Sequence, residues 1–153
     1  RSRGLGDVYK RQIQASDVNG DGMLDLVVSH CHADDSVVLF YGEGNCRFSV
    51  SQELMLGQER HVLEHEIRDL LVTDLNGDGK VDIAVACYAS AQVVVFLNTS
   101  EDERTPQCFK QETYSYDDAK PRALCAADFN QDGKLDLAVA LWGANSVALL
   151  LGK

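Results

Sequence analysis

The sequence predicts an all-β chain: a β-propeller fragment of two to three four-stranded antiparallel blades stacked face to face. Three observations carry that expectation. A loop of the form D-x-N-x-D-G-x-x-D occurs three times, opening at Asp17, Asp74 and Asp128, a repeat of roughly 55 residues. Each copy runs straight into an apolar strand, then a short polar turn and another apolar strand: "SVVLFYG", "QVVVFLN" and "SVALLLG". The strands are short, rich in Val, Ile and Leu, and separated by Gly, Asn, Asp and Ser, with no sustained helical periodicity anywhere.

Taken along the chain, "SRGLGDVYKRQ" (Ser2 to Gln12) resembles the in-frame translation of a transposase sequencing adaptor. Residues 1–12 are therefore set aside as non-native, with a basic N-terminal arm as the alternative. On that reading the chain is expected to begin mid-gene. Blade 1 is then expected over residues 13–66, blade 2 over 67–121, and a blade 3 that stops before its fourth strand over 122–153. The first strands are "IQAS", "LLVT" and "LCAA", and the fourth strands are "RFSVSQELM" and "CFKQETYSY". In "VDIAVA" and "LDLAVA" both strand faces are apolar. Ile83, Val85, Leu137 and Val139 lie on one side, and Ala84, Ala86, Ala138 and Ala140 on the other. A strand covered on both faces reads this way, and the alanines would let the next blade come close.

The charge restricts the partners. With 24 acidic and 14 basic residues the formal net charge is −10, and setting aside the first twelve residues makes it more negative. Such a chain does not suit a polyanion, so nucleic acid is excluded as a partner. No apolar run is long enough for a membrane-spanning helix. The acid is concentrated in the three loops, where it reads as ligand charge for a cation.

Counting each first aspartate as position 1, positions 1, 3, 5 and 9 are Asp17, Asn19, Asp21 and Asp25; then Asp74, Asn76, Asp78 and Asp82; then Asp128, Asn130, Asp132 and Asp136. Position 6 is Gly22, Gly79 or Gly133, and position 7 offers the carbonyls of Met23, Lys80 and Lys134. Hard oxygens at alternating positions are what Ca²⁺ takes, about one structural ion per loop. A helix-entering loop of this kind would add an acid at position 12, but here that position is Val28, Val85 or Val139, inside a strand. The ion is therefore expected to tie a β-hairpin, with the aspartate at position 9 standing in for the missing acid. The bland alternative is an Asn/Asp-rich turn that binds nothing. In the third loop Gln131 replaces the glycine of the other two, which alters the turn but removes no ligand.

This pattern resembles the FG-GAP/VCBS repeat family, the broad group that includes integrin α-subunit propellers, and the resemblance covers residues 13–153. It implies a calcium-stiffened, non-catalytic propeller, extracellular, cell-surface or periplasmic, used for adhesion or ligand binding, with a protein or glycan as ligand and further blades of the same chain as neighbours. The alternative is the scaffold of a propeller enzyme acting on polysaccharide.

The rim opposite the loops carries "SHCHADDS", "CYASAQ" and "LWGANS", placing Cys31, Tyr88 and Trp142 at matching positions. Ordinary packing around the ring axis is the preferred reading of the two aromatics, and a ligand platform the alternative. Arg68 and Arg122 recur there, each six residues before a first aspartate. His30, Cys31 and His32 fall short of a four-ligand zinc site, and His61 and His65 lack the H-E-x-x-H spacing. Of the five cysteines, the pairs Cys31–Cys46 and Cys87–Cys108 fall on opposite rims of strands about 15–20 Å long. That is too far for a disulfide, so buried free thiols are expected, Cys125 above all. Asn98-Thr99-Ser100 is a glycosylation sequon, hinting at secretion.

Overall fold

The computed structural model describes residues 9–31, 35–56, 66–102 and 106–152. They form eleven strands and no helix. β1 (Tyr9–Ser16), β2 (Asp25–Cys31), β3 (Ser36–Gly42) and β4 (Phe48–Met55) make the first blade. β5 (Ile67–Thr73), β6 (Asp82–Cys87), β7 (Gln92–Asn98) and β8 (Phe109–Ser115) make the second. β9 (Pro121–Ala127), β10 (Asp136–Leu141) and β11 (Ser146–Leu150) make the third. Every sheet is an antiparallel meander in chain order, four-, four- and three-stranded. The segment 57–65, with His61 and His65, lies outside the described residues, as do His32 and the side chain of Cys31. No described helix is long and apolar enough to cross a membrane.

β1, β5 and β9 lie side by side as the inner strands of successive blades. Each carries one extra residue against its neighbour at the same place: Arg11, Arg68 and Arg122 fall opposite a register shift. A bulge here bends the inner strand and sharpens its twist. β1 extends into the adaptor-like stretch, pairing Tyr9 with Cys31 and Lys10 with His30.

Two apolar layers join the blades. Val27, Val37, Leu39 and Tyr41 of blade 1 pack on Ile67, Leu70, Ile83, Val85, Val94 and Phe96 of blade 2. Ala84, Val93 and Val95 of blade 2 pack on Leu137, Val139 and Leu141 of blade 3. Alternation along β6 thus divides its residues between two seams, the larger ones facing back and the alanines forward. All six are buried. Each fully buried Ile or Val is worth about 1.5–3 kcal/mol, so the seams dominate the stability.

Polar side chains finish the seams. Gln14 donates through Nε2 to the Leu70 carbonyl (2.6 Å) and accepts from Val72 N–H through Oε1 (3.0 Å), joining β1 to β5. Asp69 Oδ2 accepts from Leu124 N–H (2.8 Å), joining β5 to β9. One expectation fails. Cys87 is buried, but Cys46, Cys108 and Cys125 are exposed free thiols. Cys125 is the counterpart of Leu71, which is covered by blade 3, whereas no described element covers that face of β9.

Candidate metal centres and the opposite rim

The three loops share one hydrogen-bond plan. In loop 1, Asp17 accepts from Gly20 N–H and Asp21 N–H through Oδ1 (2.8 and 3.1 Å) and from Gly22 N–H through Oδ2 (2.8 Å). Asp74 does the same for Gly77, Asp78 and Gly79. Asp128 accepts from Asp132 and Gly133. Position 3 then pairs with position 5: Asn19 Nδ2 donates to Asp21 Oδ2 (2.9 Å), with equivalents at Asn76–Asp78 and Asn130–Asp132. Position 5 holds the amide of position 7, Met23, Lys80 or Lys134, at 2.8 to 2.9 Å. The sequence closes the loop this way because Asx side chains readily accept nearby backbone amides.

The turn demands a left-handed backbone at position 4, where Gly20 and Gly77 have φ of 81° and 75°. Gln131 adopts φ 62° at that place. The turn of the third loop is therefore kept, in a region a side chain enters at a cost of about 1–2 kcal/mol.

The aspartate at position 9 stands apart. Asp25, Asp82 and Asp136 are completely buried. Asp25 Oδ2 accepts from Val18 N–H and Oδ1 from Gly42 N–H, both at 2.8 Å. Asp82 accepts from Leu75 N–H (2.9 Å) and Asn98 N–H (2.8 Å), and Asp136 from Phe129 N–H (3.0 Å) and Gly152 N–H (2.9 Å). Each carboxylate therefore clasps the loop entrance to the far end of the blade's third strand. Sequence reasoning missed this clasp, because the second amide lies sixteen or seventeen residues downstream. The only sequence signal is the recurrence of a small or amide residue (Gly42, Asn98, Gly152) closing each third strand.

The structure thus gathers positions 1, 3 and 5 in each loop and sets position 9 behind them. Among the described residues, no three His, Cys, Asp or Glu side chains converge into a ready ligand set. The donor chemistry nevertheless fits a hard cation: oxygen-bearing side chains at positions 1, 3 and 5 of one short loop, those at 3 and 5 in contact, and lone pairs left on each carboxylate beyond those the amides use. Burial raises the carboxyl of Asp25 above its ordinary value, and Asp21 raises it further. Asp82 is raised the same way, by burial first and then by Asp78 and Asp74, while the amide bonds pull both down. Asp132, fully exposed, is lowered by Asn130 and the Lys134 amide. A bound cation would relieve the charge that the loop acids place on the buried Asp25 and Asp82.

Asn98 shows why the sequon is a poor acceptor in the folded chain. It is 2% exposed, its Nδ2 donates to the Val18 carbonyl of the first loop (3.0 Å), and its Oδ1 accepts from Ser100 N–H. The atom that would carry a glycan instead links loop 1 to blade 2.

On the opposite rim, Tyr88 and Trp142 meet at 6.0 Å between ring centroids, tilted by 47°. The Arg68 guanidinium lies 4.9 Å and the Lys120 ammonium 5.2 Å from the Tyr88 centroid. Arg68 also pairs with Glu66. Trp142 is 59% exposed, which is not the axial packing expected of it.

Residues 74–139 match the family model of the FG-GAP-like repeat, running from the loop of blade 2 through β6, β7 and β8 to β9 and most of β10. No curated protein matches the chain. Blade 1 lies outside the match, yet its loop repeats the hydrogen bonds of loop 2 one for one.

Proposed function

On the premise that residues 74–139 belong to the FG-GAP-like repeat family, we propose that the chain is a calcium-stiffened, non-catalytic propeller segment that presents a binding rim to a protein or glycan. The observation carrying this is the threefold repetition of one loop architecture, in which position 1 holds the backbone amide of position 5 and the side chains of positions 3 and 5 meet. Asp17, Asn19 and Asp21 would hold the first ion, Asp74, Asn76 and Asp78 the second, and Asp128, Asn130 and Asp132 the third. The buried aspartate at position 9 and the carbonyl at position 7 would complete each site. Bound Ca²⁺ would supply positive charge where the acids crowd. This chain's own residues do the rest, the position-9 carboxylate fastening the loop to the third strand.

Division of labour between the rims supports the second half of the reading. The loop rim is spent on internal hydrogen bonds, while the opposite rim carries Tyr88 and Trp142 in contact, with Arg68 and Lys120 against the Tyr88 ring. Loops of this ligand type in extracellular modules bind with Kd on the order of 10⁻⁴ to 10⁻³ M. An extracellular, cell-surface or periplasmic setting suits such sites.

The experiment is a calcium titration of the chelator-treated chain, followed by calorimetry and by thermal unfolding. Uptake of about one ion per loop is expected. At tenfold excess over Kd each site should add about 1.4 kcal/mol. Absence of uptake at millimolar Ca²⁺, with β-structure intact by circular dichroism, would remove the calcium reading.

A further inference from the structure

Loops 1 and 2 are joined by an unbroken run of hydrogen bonds across the seam between their blades. The Val18 peptide lies between Asp17 and Asn19, two candidate ligands of loop 1. Its N–H donates to Asp25 Oδ2 (2.8 Å), and its carbonyl accepts from Asn98 Nδ2 (3.0 Å). Asn98 in turn donates its own backbone N–H to Asp82 Oδ1 (2.8 Å). Three buried hydrogen bonds thus lead from the position-9 carboxylate of one loop to that of the next. Asn98 is held at its far side too, where Oδ1 accepts from Ser100 N–H (3.0 Å). Away from water such bonds strengthen one another, and a contiguous chain of them can carry coupling between sites.

The other two blades lack this part. Gly42 and Gly152 stand in the place of Asn98, and each gives the position-9 aspartate its backbone amide with no side chain to pass the contact on. Nor is there room for one. An added Cβ would lie 2.3 Å from the Leu24 carbonyl oxygen at Gly42, and 2.5 Å from that of Leu135 at Gly152. The two seams differ accordingly. Between blades 1 and 2, residues 17–20 of loop 1 and 79–81 of loop 2 line one cleft of about 270 Å³, with Asn98 in its wall. Between blades 2 and 3 the matching groove is lined by Leu75, Leu135, Leu150 and Leu151 beside Gly152.

We infer that loops 1 and 2 take up their ions as a coupled pair through Asn98, while loop 3 binds alone. The inference rests on the calcium reading above and states how those same sites influence one another. A cation held by Asp17 and Asn19 fixes the peptide between them, so the Val18 carbonyl becomes a fixed acceptor. Asn98 is then held with its N–H on Asp82, the carboxylate that completes the second site. Ordering done at one loop is not repeated at the other, and linkage makes the gain reciprocal. Repulsion between the two ions opposes this through space, but it does not depend on Asn98.

The intact, chelator-treated chain would be titrated with CaCl₂, following the glycine amides of each loop by NMR and the total uptake by calorimetry. Loops 1 and 2 should fill together and loop 3 separately. Asp21→Ala, which removes a ligand from loop 1, should raise the midpoint of loop 2 by about fivefold or more. Loop 3 should stay within about twofold, as independent sites do. In an Asn98→Ala background, or in Asn98→Gly should that variant fold better by circular dichroism, Asp21→Ala should leave loop 2 within about twofold as well. The same shift in both backgrounds would assign the effect to charge acting through space and overturn the role of Asn98. No shift in either would make the sites independent, overturning the coupling while leaving the calcium reading intact. Hydrogen exchange in chelator reads the link without any ion: Asp21→Ala should speed exchange of the Leu75 amide and spare that of Phe129, and Asn98→Ala should cancel the difference. An unchanged Leu75 amide overturns the coupling whatever the loops bind. No uptake at any loop overturns the calcium reading, and cooperative uptake with it.

Discussion

Blades 2 and 3 carry almost the same hairpin, Asp82–Cys87 followed by Gln92–Asn98 against Asp136–Leu141 followed by Ser146–Leu150, but their burial differs, most of all on one face. Backward-facing residues of the first strand match: Ile83 and Val85 are fully buried, and Leu137 and Val139 are 5% and 0% exposed. Forward-facing residues do not. Val93 is buried whereas its counterpart Val147 is 67% exposed, and Val95 at 6% compares with Leu149 at 51%. An apolar strand of this kind is pre-adapted to two neighbours, and each face is buried only by the blade that packs on it. Where blade 3 has no described neighbour, the same alternation leaves an open apolar surface.

The largest effect should come from the clasp. Removing the carboxylate in Asp82→Ala strands the amides of Leu75 and Asn98, and each unsatisfied buried group costs about 1–3 kcal/mol. Asp136→Ala should cost less, because the Gly152 amide it strands is only partly buried. Urea unfolding of both variants checks the order. Equal losses would mean that the clasp does not depend on how deeply its downstream amide is buried.

Ile83→Ala and Val147→Ala sharpen the contrast at the seam. The first opens a cavity between blades 1 and 2 and should cost about 2–5 kcal/mol, while the second truncates an exposed side chain and should stay within about 0.5 kcal/mol. A costly Val147→Ala would show that something covers this face in solution.

Much of this was legible from residues alone, and the reasons are local. The loops announce themselves by Asx spacing, the strands by short Val/Ile/Leu runs, and the two-sided burial of β6 by large and small residues in alternation. What escaped depends on partners far away in sequence. The clasp of Asp25 needs Gly42, and the burial of Asn98 needs the Val18 carbonyl of another blade. Cys125 looks like a core thiol from its apolar strand, yet no described element covers its face of β9. Trp142 is exposed for the same reason.

The two loops offer a smaller test. Gln131 holds φ 62° where Gly77 holds 75°. Gln131→Gly should therefore stabilise blade 3 by about 1 kcal/mol, and Gly77→Gln should destabilise blade 2 by a similar amount. Space is not the obstacle at Gly77, where an added Cβ would meet nothing within 4 Å, so the backbone alone is tested. Thermal unfolding of the pair gives the answer, and no change in either would mean that the left-handed turn is not what sets the residue.

Protonation gives the finest comparison between the blades, because burial and exposure move the same kind of loop carboxyl in opposite directions. Asp82 is raised above its ordinary 3.8 by burial, while exposed Asp132 is lowered below 3.8 by Asn130. In the chelator-treated chain the folded state holds a proton on Asp82 more readily than the unfolded state does. Its contribution to stability is therefore full below the ordinary value and is lost as pH rises through the raised one. Asp132 contributes above its ordinary value and loses that contribution as pH falls through the lowered one. A residue-resolved carboxyl NMR titration should find Asp82 titrating last and Asp132 first. Ca²⁺ should move both midpoints down, since the bound ion needs the ionised carboxylate. If the midpoint of Asp82 fell below that of Asp132 without the ion, its buried setting would be better compensated by its two amides than the structure implies, and crowding of the acids would no longer argue for a cation.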